Sequence, residues 1–216
     1  MRLNLTFLIL LFFSAQSFST AQAPDKLIID GETIALQSNP LEVYFKNNPD
    51  KKSDEWAIST ALWRGYVAEF KIENSHLIVS DIKVRLKNEE DHRKWFSVID
   101  QVMAKEERVV SWYNGLLIAP QGRIVNYIHM GYASEFEKYT IFLLEGGKVI
   151  KRKNFSREEY KAYKKKQFQM YKKTEEYNVK KNEYLKYAKE SSEEFDVDEF
   201  MFVFDDFSQK IYVEFE

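Results

Sequence analysis

Apolar and polar positions alternate with period two over two long stretches in the first half of the chain. Leu62 to Ile72 and Leu77 to Leu86 predict strands joined by a turn at Glu73 to His76. In the second strand, Ile78, Ile82, Val84 and Leu86 share one face, and Asp81, Lys83 and Arg85 share the other. In the first, Leu62, Tyr66, Ala68, Phe70 and Ile72 form the apolar face, with Arg64 among them. Upstream, Leu27-Ile28-Ile29 and Thr33 to Leu36 flank Asp30-Gly31, which supplies the positive φ of a tight hairpin turn. Downstream, Val109 to Ile118 and Arg123 to Met130 predict a hairpin across Ala119-Pro120-Gln121-Gly122, where Pro and Gly suit a type I turn. Phe136 to Leu144 and Val149 to Lys153 pair across Gly146-Gly147. A closing hairpin is expected at about 199–215, from Phe200 to Phe204 and Lys210 to Phe215. Acids at Asp196, Asp198, Glu199, Asp205 and Asp206 flank its apolar run, as gatekeepers against aggregation do.

Helical signals fall between these strands. Asn39-Pro40 with Glu42 opens a short helix that ends before Pro49. Asn88, with Glu89, Glu90 and Asp91 behind it, caps a second whose buried stripe is Trp95, Val98, Ile99 and Val102. Ser156 with Glu159 forms a capping box for a long helix over about 156–189. Along it Tyr163, Met170, Tyr177 and Tyr184 recur at spacing seven. Gln167, Thr174 and Lys181 at the intervening positions are polar, which disfavours a zipper dimer and favours packing of the tyrosines on the domain's own sheet. The fold class predicted is α+β: a mainly antiparallel sheet built from hairpins, two short-to-medium helices, and one long helix in the C-terminal half.

The N-terminus changes the picture. Arg2, the apolar run Leu3 to Phe13 and the small or polar residues Ser14 to Ala23 form the three parts of a signal peptide. Cleavage is expected after Ala21, with Ala23 as the alternative, which leaves residues 22–216 as a single exported α+β domain. The apolar run is about half the ~20 residues that span a bilayer, so no transmembrane anchor is expected after cleavage. There is no cysteine, which excludes disulfides, thiol nucleophiles, Cys-based zinc sites and a lipoprotein anchor. From Lys148 to Lys189 fifteen basic residues face five acidic ones, and from Glu190 to Glu216 ten acids face only Lys210. Two readings follow: a basic surface for an acidic partner, or two blocks facing each other or water in one fold. The pI near 6 speaks against nucleic acid.

Candidate chemistry is sparse. His129 ends a predicted strand, with Gly131, Ser134 and Glu135 close behind, the ingredients of a base, a nucleophile and an orienting acid. Such neighbours in sequence rarely reach triad geometry, and a hydrogen-bonded strand-end histidine explains the pattern as well. Arg64 sits on an apolar strand face, where a guanidinium needs a carboxylate partner. The alternatives are an internal ion pair and an anion-binding cleft walled by Trp63, Tyr66, Trp112 and Tyr113, with Tyr132 nearby. No phosphate loop, dinucleotide fingerprint or zinc-helix signature is present, so no cofactor and no metal are expected.

Ser59-Thr60-Ala61-Leu62-Trp63-Arg64-Gly65-Tyr66-Val67-Ala68 and Tyr127-Ile128-His129-Met130-Gly131-Tyr132-Ala133-Ser134 resemble segments of uncharacterised exported bacterial proteins of Bacteroidetes type. The resemblance covers about a fifth of the chain. It implies a periplasmic or secreted location, and it assigns no activity or site residue. The function expected is a non-enzymatic binding module whose partner is an envelope or extracellular protein or glycan, not nucleic acid. The alternatives are a small hydrolase using His129 or a carboxylate pair, and a membrane-surface protein docking through 156–189.

Overall fold

A computed structural model describes residues 21–29, 31–129, 131–191, 195–204 and 206–215, so the signal segment lies outside the described residues apart from Ala21. The described residues form an α+β fold with eight strands. β1 (Lys26–Ile29) and β2 (Glu32–Ala35) form the expected first hairpin, and β3 (Tyr66–Glu73) and β4 (His76–Val84) the second. β5 (Phe96–Ser97) sits beside β4. β6 (Gly115–Asn126), β7 (Glu135–Glu145) and β8 (Lys148–Ser156) make a meander. The order is β2-β1-β3-β4-β8-β7-β6, with β1–β3 parallel and the other pairs antiparallel.

The sheet folds over on itself. β4 and β8 share only the pair His76 and Lys148, so two half-sheets meet at a corner. Gly147 makes that corner possible. Its φ is +73°, and a Cβ there would lie 2.1 Å from the Val110 carbonyl oxygen. The opposite edges meet where Gln37 N–H donates to the Ile118 carbonyl and Ile118 N–H donates to Ser38 Oγ. Between the half-sheets lies the main core, where Tyr66, Phe70, Leu77 and Ile82 face Leu117, Phe142 and Leu144. α1 (Leu41–Asn47) covers it with Leu41, Tyr44 and Phe45. The outer face of the meander carries Leu116, Ile118, Tyr139, Ile141 and Phe155, packed against Tyr163 and Phe215.

Several expected elements differ, each for a physical reason. The predicted turn 119–122 lies inside β6: Pro120 pairs with Tyr139, and register shifts follow between Gln121 and Asn126. Proline is tolerated there because β6 is an edge strand, and Gly122 with φ +76° serves a bulge rather than a turn. In β4 the buried side switches from Leu77 and Val79 to Ile82 and Val84 across a bulge at Ser80, so Ile78 leaves the face it was expected to share. The second predicted helix shrinks to α2 (Ile99–Val102), and Trp95 stands exposed over the Arg85 guanidinium.

The long helix divides into α3 (Arg157–Tyr171) and α4 (Glu175–Ser191). Ser156 and Glu159 form the predicted capping box at the start of α3. Thr174 Oγ1 caps α4 by accepting from Tyr177 N–H, so the heptad register does not run through. Tyr163 packs on the sheet, Tyr177 joins a separate aromatic cluster with Phe168, Tyr171 and Phe207, and Met170 is exposed. The closing hairpin is absent among the described residues. Val197–Phe204 is helix α5, and Asp196 caps it by accepting from the N–H groups of Asp198 and Glu199. The segment after it is held by side chains instead of a strand. Buried Gln167 accepts from Tyr212 and Val213 N–H and donates to the Lys210 carbonyl, while Tyr163 OH donates to the Val213 carbonyl.

Candidate functional site

A cleft of about 750 Å³ opens between α1, the loop joining β6 to β7, and the C-terminal helices. Its lining follows from the local structure. α3 presents Arg157, Tyr160, Lys161 and Lys164, which lie three, four and seven residues apart and so share one face of the helix. α4 adds Lys180 and Tyr184, α5 adds Phe202, and the segment behind α5 adds Gln209 and Lys210. α1 contributes Glu42, Lys46 and Asn47, and Asn39 comes two residues before its start.

Three kinds of side chain converge there. Six carry amides: Gln22, Gln37, Asn39, Asn47, Asn114 and Gln209. Seven are aromatic: Trp63, Tyr113, Tyr132, Tyr139, Tyr160, Tyr184 and Phe202. Six are cations, Lys46, Arg157, Lys161, Lys164, Lys180 and Lys210, against two acids, Glu42 and Glu135. The amides are partly held in place. Gln37 Nε2 donates to the carbonyls of Tyr132 and Ser134, each at 3.0 Å. Asn39 N–H donates to Gln209 Oε1 at 2.7 Å, which leaves the Gln209 amide nitrogen directed elsewhere. Tyr139 and Tyr160 stack with ring centroids 4.0 Å apart. Burial pushes the Tyr160 phenol well above its ordinary range, so it is a neutral group in the wall.

The cations differ in how they are matched. Arg157 and Lys161 lie 3.6 and 3.8 Å from the Glu135 carboxylate, and Lys210 pairs with Glu176. Lys164 makes no ion pair or hydrogen bond among the described residues. Its ammonium lies over the rings of Phe202 and Phe207, at 4.8 and 5.7 Å. Burial lowers its pKa to about 8, opposed by the Glu135 charge. The ring faces also favour the ammonium and offset part of that cost.

The residues singled out from the sequence divide between this cleft and other places. Trp63 is 56 % exposed and stands at the rim, and Tyr132 and Tyr113 line the wall. Arg64 lies beneath, 1 % exposed. Its guanidinium donates to Tyr132 OH at 2.6 Å, to the Ala23 carbonyl at 2.8 Å and to Asp25 Oδ1 at 3.2 Å. Tyr132 OH in turn donates to Asn39 Oδ1, so the buried arginine positions two residues of the cleft wall. Tyr66 is buried, donates to Glu42 Oε1, and does not reach the cleft surface. Trp112 is elsewhere, packed on Tyr44 beside a smaller pocket of about 370 Å³ with Glu106 and Glu107.

His129 is exposed at the tip between β6 and β7, edge-on to Tyr127 at 4.5 Å and outside the cleft lining. Ser134 Oγ accepts from Ile128 N–H and donates to the Ile128 carbonyl, so it pins the tip rather than facing His129. Among the described residues, no group of three or more His, Asp or Glu is placed to hold a metal ion, and no helix is long and apolar enough to cross a membrane.

Sequence reasoning missed Lys164, Tyr160 and the amides. The 157, 160, 161, 164 spacing marks a helix face, but it is hidden in a stretch where lysine is common. The amides come from five scattered places in the chain, with only Gln37 and Asn39 close together, and carry no regular spacing. The chain matches no family model, no curated protein and no solved structure.

Proposed function

We propose that the protein is an exported, non-enzymatic binding module that takes a saccharide in this cleft. The N-terminal charge and hydropathy pattern supports export. The observation that carries the binding reading is the convergence of six amide side chains with aromatic faces in one open cleft. A pyranose ring presents apolar C–H faces, which suit Trp63 and the tyrosines, and rims of hydroxyl groups that both donate and accept. Amides do the same from one planar group, with two donors and an acceptor, and so match vicinal hydroxyls better than cations or carboxylates do. A cleft of this size, apolar walls and a few placed polar groups are the common form of a small-ligand site. Hydrolysis draws less support, since His129 stands on an exposed tip and Ser134 is committed to Ile128.

The test is titration of the purified protein with short oligosaccharides, followed by calorimetry and by tryptophan fluorescence. Saturable binding that quenches Trp63, and weakens about five- to thirtyfold in Trp63→Ala, is expected, since one aromatic platform contributes on the order of 1–2 kcal/mol. Absence of saturable binding across neutral and acidic sugars would overturn the reading.

A further inference from the structure

The cations of the cleft are not needed to hold a neutral sugar. Four of the six belong to α3 and α4, and none of the six amides lies on either helix. Glu135 answers Arg157 and Lys161, and Lys210 has Glu176. Lys164 is left with two phenyl rings behind it and no carboxylate in contact.

Such an ammonium is costly to keep. A withdrawn cation without a counter-ion destabilises the fold unless something offsets it, and the lowered pKa is the expression of that cost. Leucine or methionine at this position would cover Phe202 and Phe207 equally well. An anion entering the cleft removes the penalty and forms a charge-assisted hydrogen bond in a partly dehydrated place, where it is stronger than at the surface.

Building on the saccharide reading, we infer that the ligand is an acidic sugar whose carboxylate or sulfate group docks on Lys164, with its ring against Tyr160 and its hydroxyls toward the amides of the lining. Arg157 and Lys161, held by Glu135, add positive potential behind the anion without competing for the same contact. Lys180 on α4 also lines the cleft.

The experiment compares three probes: α-1,4-linked tri-galacturonate, a sulfated trisaccharide, and the neutral α-1,4-galactotriose. Each is titrated into the parent protein and into Lys164→Met and Lys164→Arg. The parent is expected to bind one acidic probe about tenfold or more tighter than the neutral one. Lys164→Met should lose most of that preference and keep its affinity for galactotriose, while Lys164→Arg should retain the preference. Which acidic probe wins distinguishes carboxylate from sulfate. Equal affinity of the parent for neutral and acidic probes, or a preference that survives in Lys164→Met, would overturn the inference and leave the saccharide reading standing. Failure of all three probes to bind would overturn both. Thermal melts of the two variants, at or above the parent's, check that any loss is not unfolding.

Discussion

Two cations in this protein, Arg64 beneath Tyr132 of the cleft wall and Lys164 in the lining itself, have opposite fates. Arg64 is 1 % exposed, donates to a tyrosine, a carbonyl and a carboxylate, and has aromatic rings of Tyr66 and Tyr132 within 6 Å. Lys164 is half-buried, has rings beneath it and no ionic partner in contact. Judged by sequence, Arg64 is the anomaly, a charge in an apolar strand pattern. Judged by structure, Arg64 has its counter-ion, although its Nε has no hydrogen-bond partner among the described residues, and Lys164, with no carboxylate in contact, is the anomaly. A buried charge that the fold satisfies is a structural device, and a partly buried charge that the fold leaves unmatched is the one that points to a ligand.

The sharpest break of the comparison is Arg64→Met. It strands Asp25, which is fully buried and whose Oδ2 already has no hydrogen-bond partner among the described residues. Breaking such a pair costs about 3–5 kcal/mol, read as a shift in denaturant midpoint. Because Arg64 also holds Tyr132 and the Ala23 carbonyl, the β6–β7 tip is expected to loosen with it, seen as faster amide exchange around Tyr132. The double variant Arg64→Met/Asp25→Asn should recover part of the loss, and a purely additive cycle would show that the pair is not coupled.

Next in size is the pH response of Asp25. Burial raises its carboxyl from 3.8 to about 6, against the pull of Arg64. Between those values the folded chain holds a proton that the unfolded chain has released. The contribution to stability is therefore fully present below about pH 4 and is lost as pH rises through 6, by an amount on the order of 3 kcal/mol. Asp25→Asn has no such titration. Its stability deficit against the parent is expected to be largest near pH 4 and to shrink toward pH 7. A deficit that stays constant over that range would show that the carboxyl is ionised throughout.

Local chemistry made much of the fold readable, and its limits are equally local. The hairpins predicted around Gly31 and Gly146 and the Ser156–Glu159 capping box rest on short-range chemistry, and the elements they predict are present. Pro120 and Gly122 carry turn chemistry too, but β7 runs alongside and absorbs them as a bulge. Phe200 to Phe204 suits either period, and only the Asp196 cap and the contacts of Met201 with the aromatic cluster decide for helix. The cleft was less legible still. Trp63, Tyr113 and Tyr132 stood out by residue type, whereas Asn39 meets Gln209 only through tertiary structure, 170 positions apart in the chain.

Lys164→Met gives a smaller effect of the opposite sign to Arg64→Met. The folded-state pKa of about 8 lies below the ordinary 10.5, so between those values the folded chain holds fewer protons than the unfolded one. Parent stability therefore rises with pH across that window. The variant avoids the buried ammonium, and after allowance for the ring faces it should be more stable at pH 7 by about 1–2 kcal/mol. That advantage should fade as pH rises through 8 and vanish above about 10.5. A destabilised variant at neutral pH would mean that Lys164 serves the fold, as Arg64 does.

Trp63→Ala should barely move stability, by less than about 0.5 kcal/mol, because the residue is 56 % exposed and its ring makes no hydrogen bond among the described residues, the bond to Gln22 Oε1 coming from the backbone N–H. The same change is expected to cost most of the binding. A residue that matters for ligand and not for folding separates the rim from the buried Arg64 network, where the two cannot be separated. If Trp63→Ala lowered the melting temperature as Arg64→Met does, the rim would belong to the core. The division between a matched interior and an unmatched cleft would then lose its outer boundary.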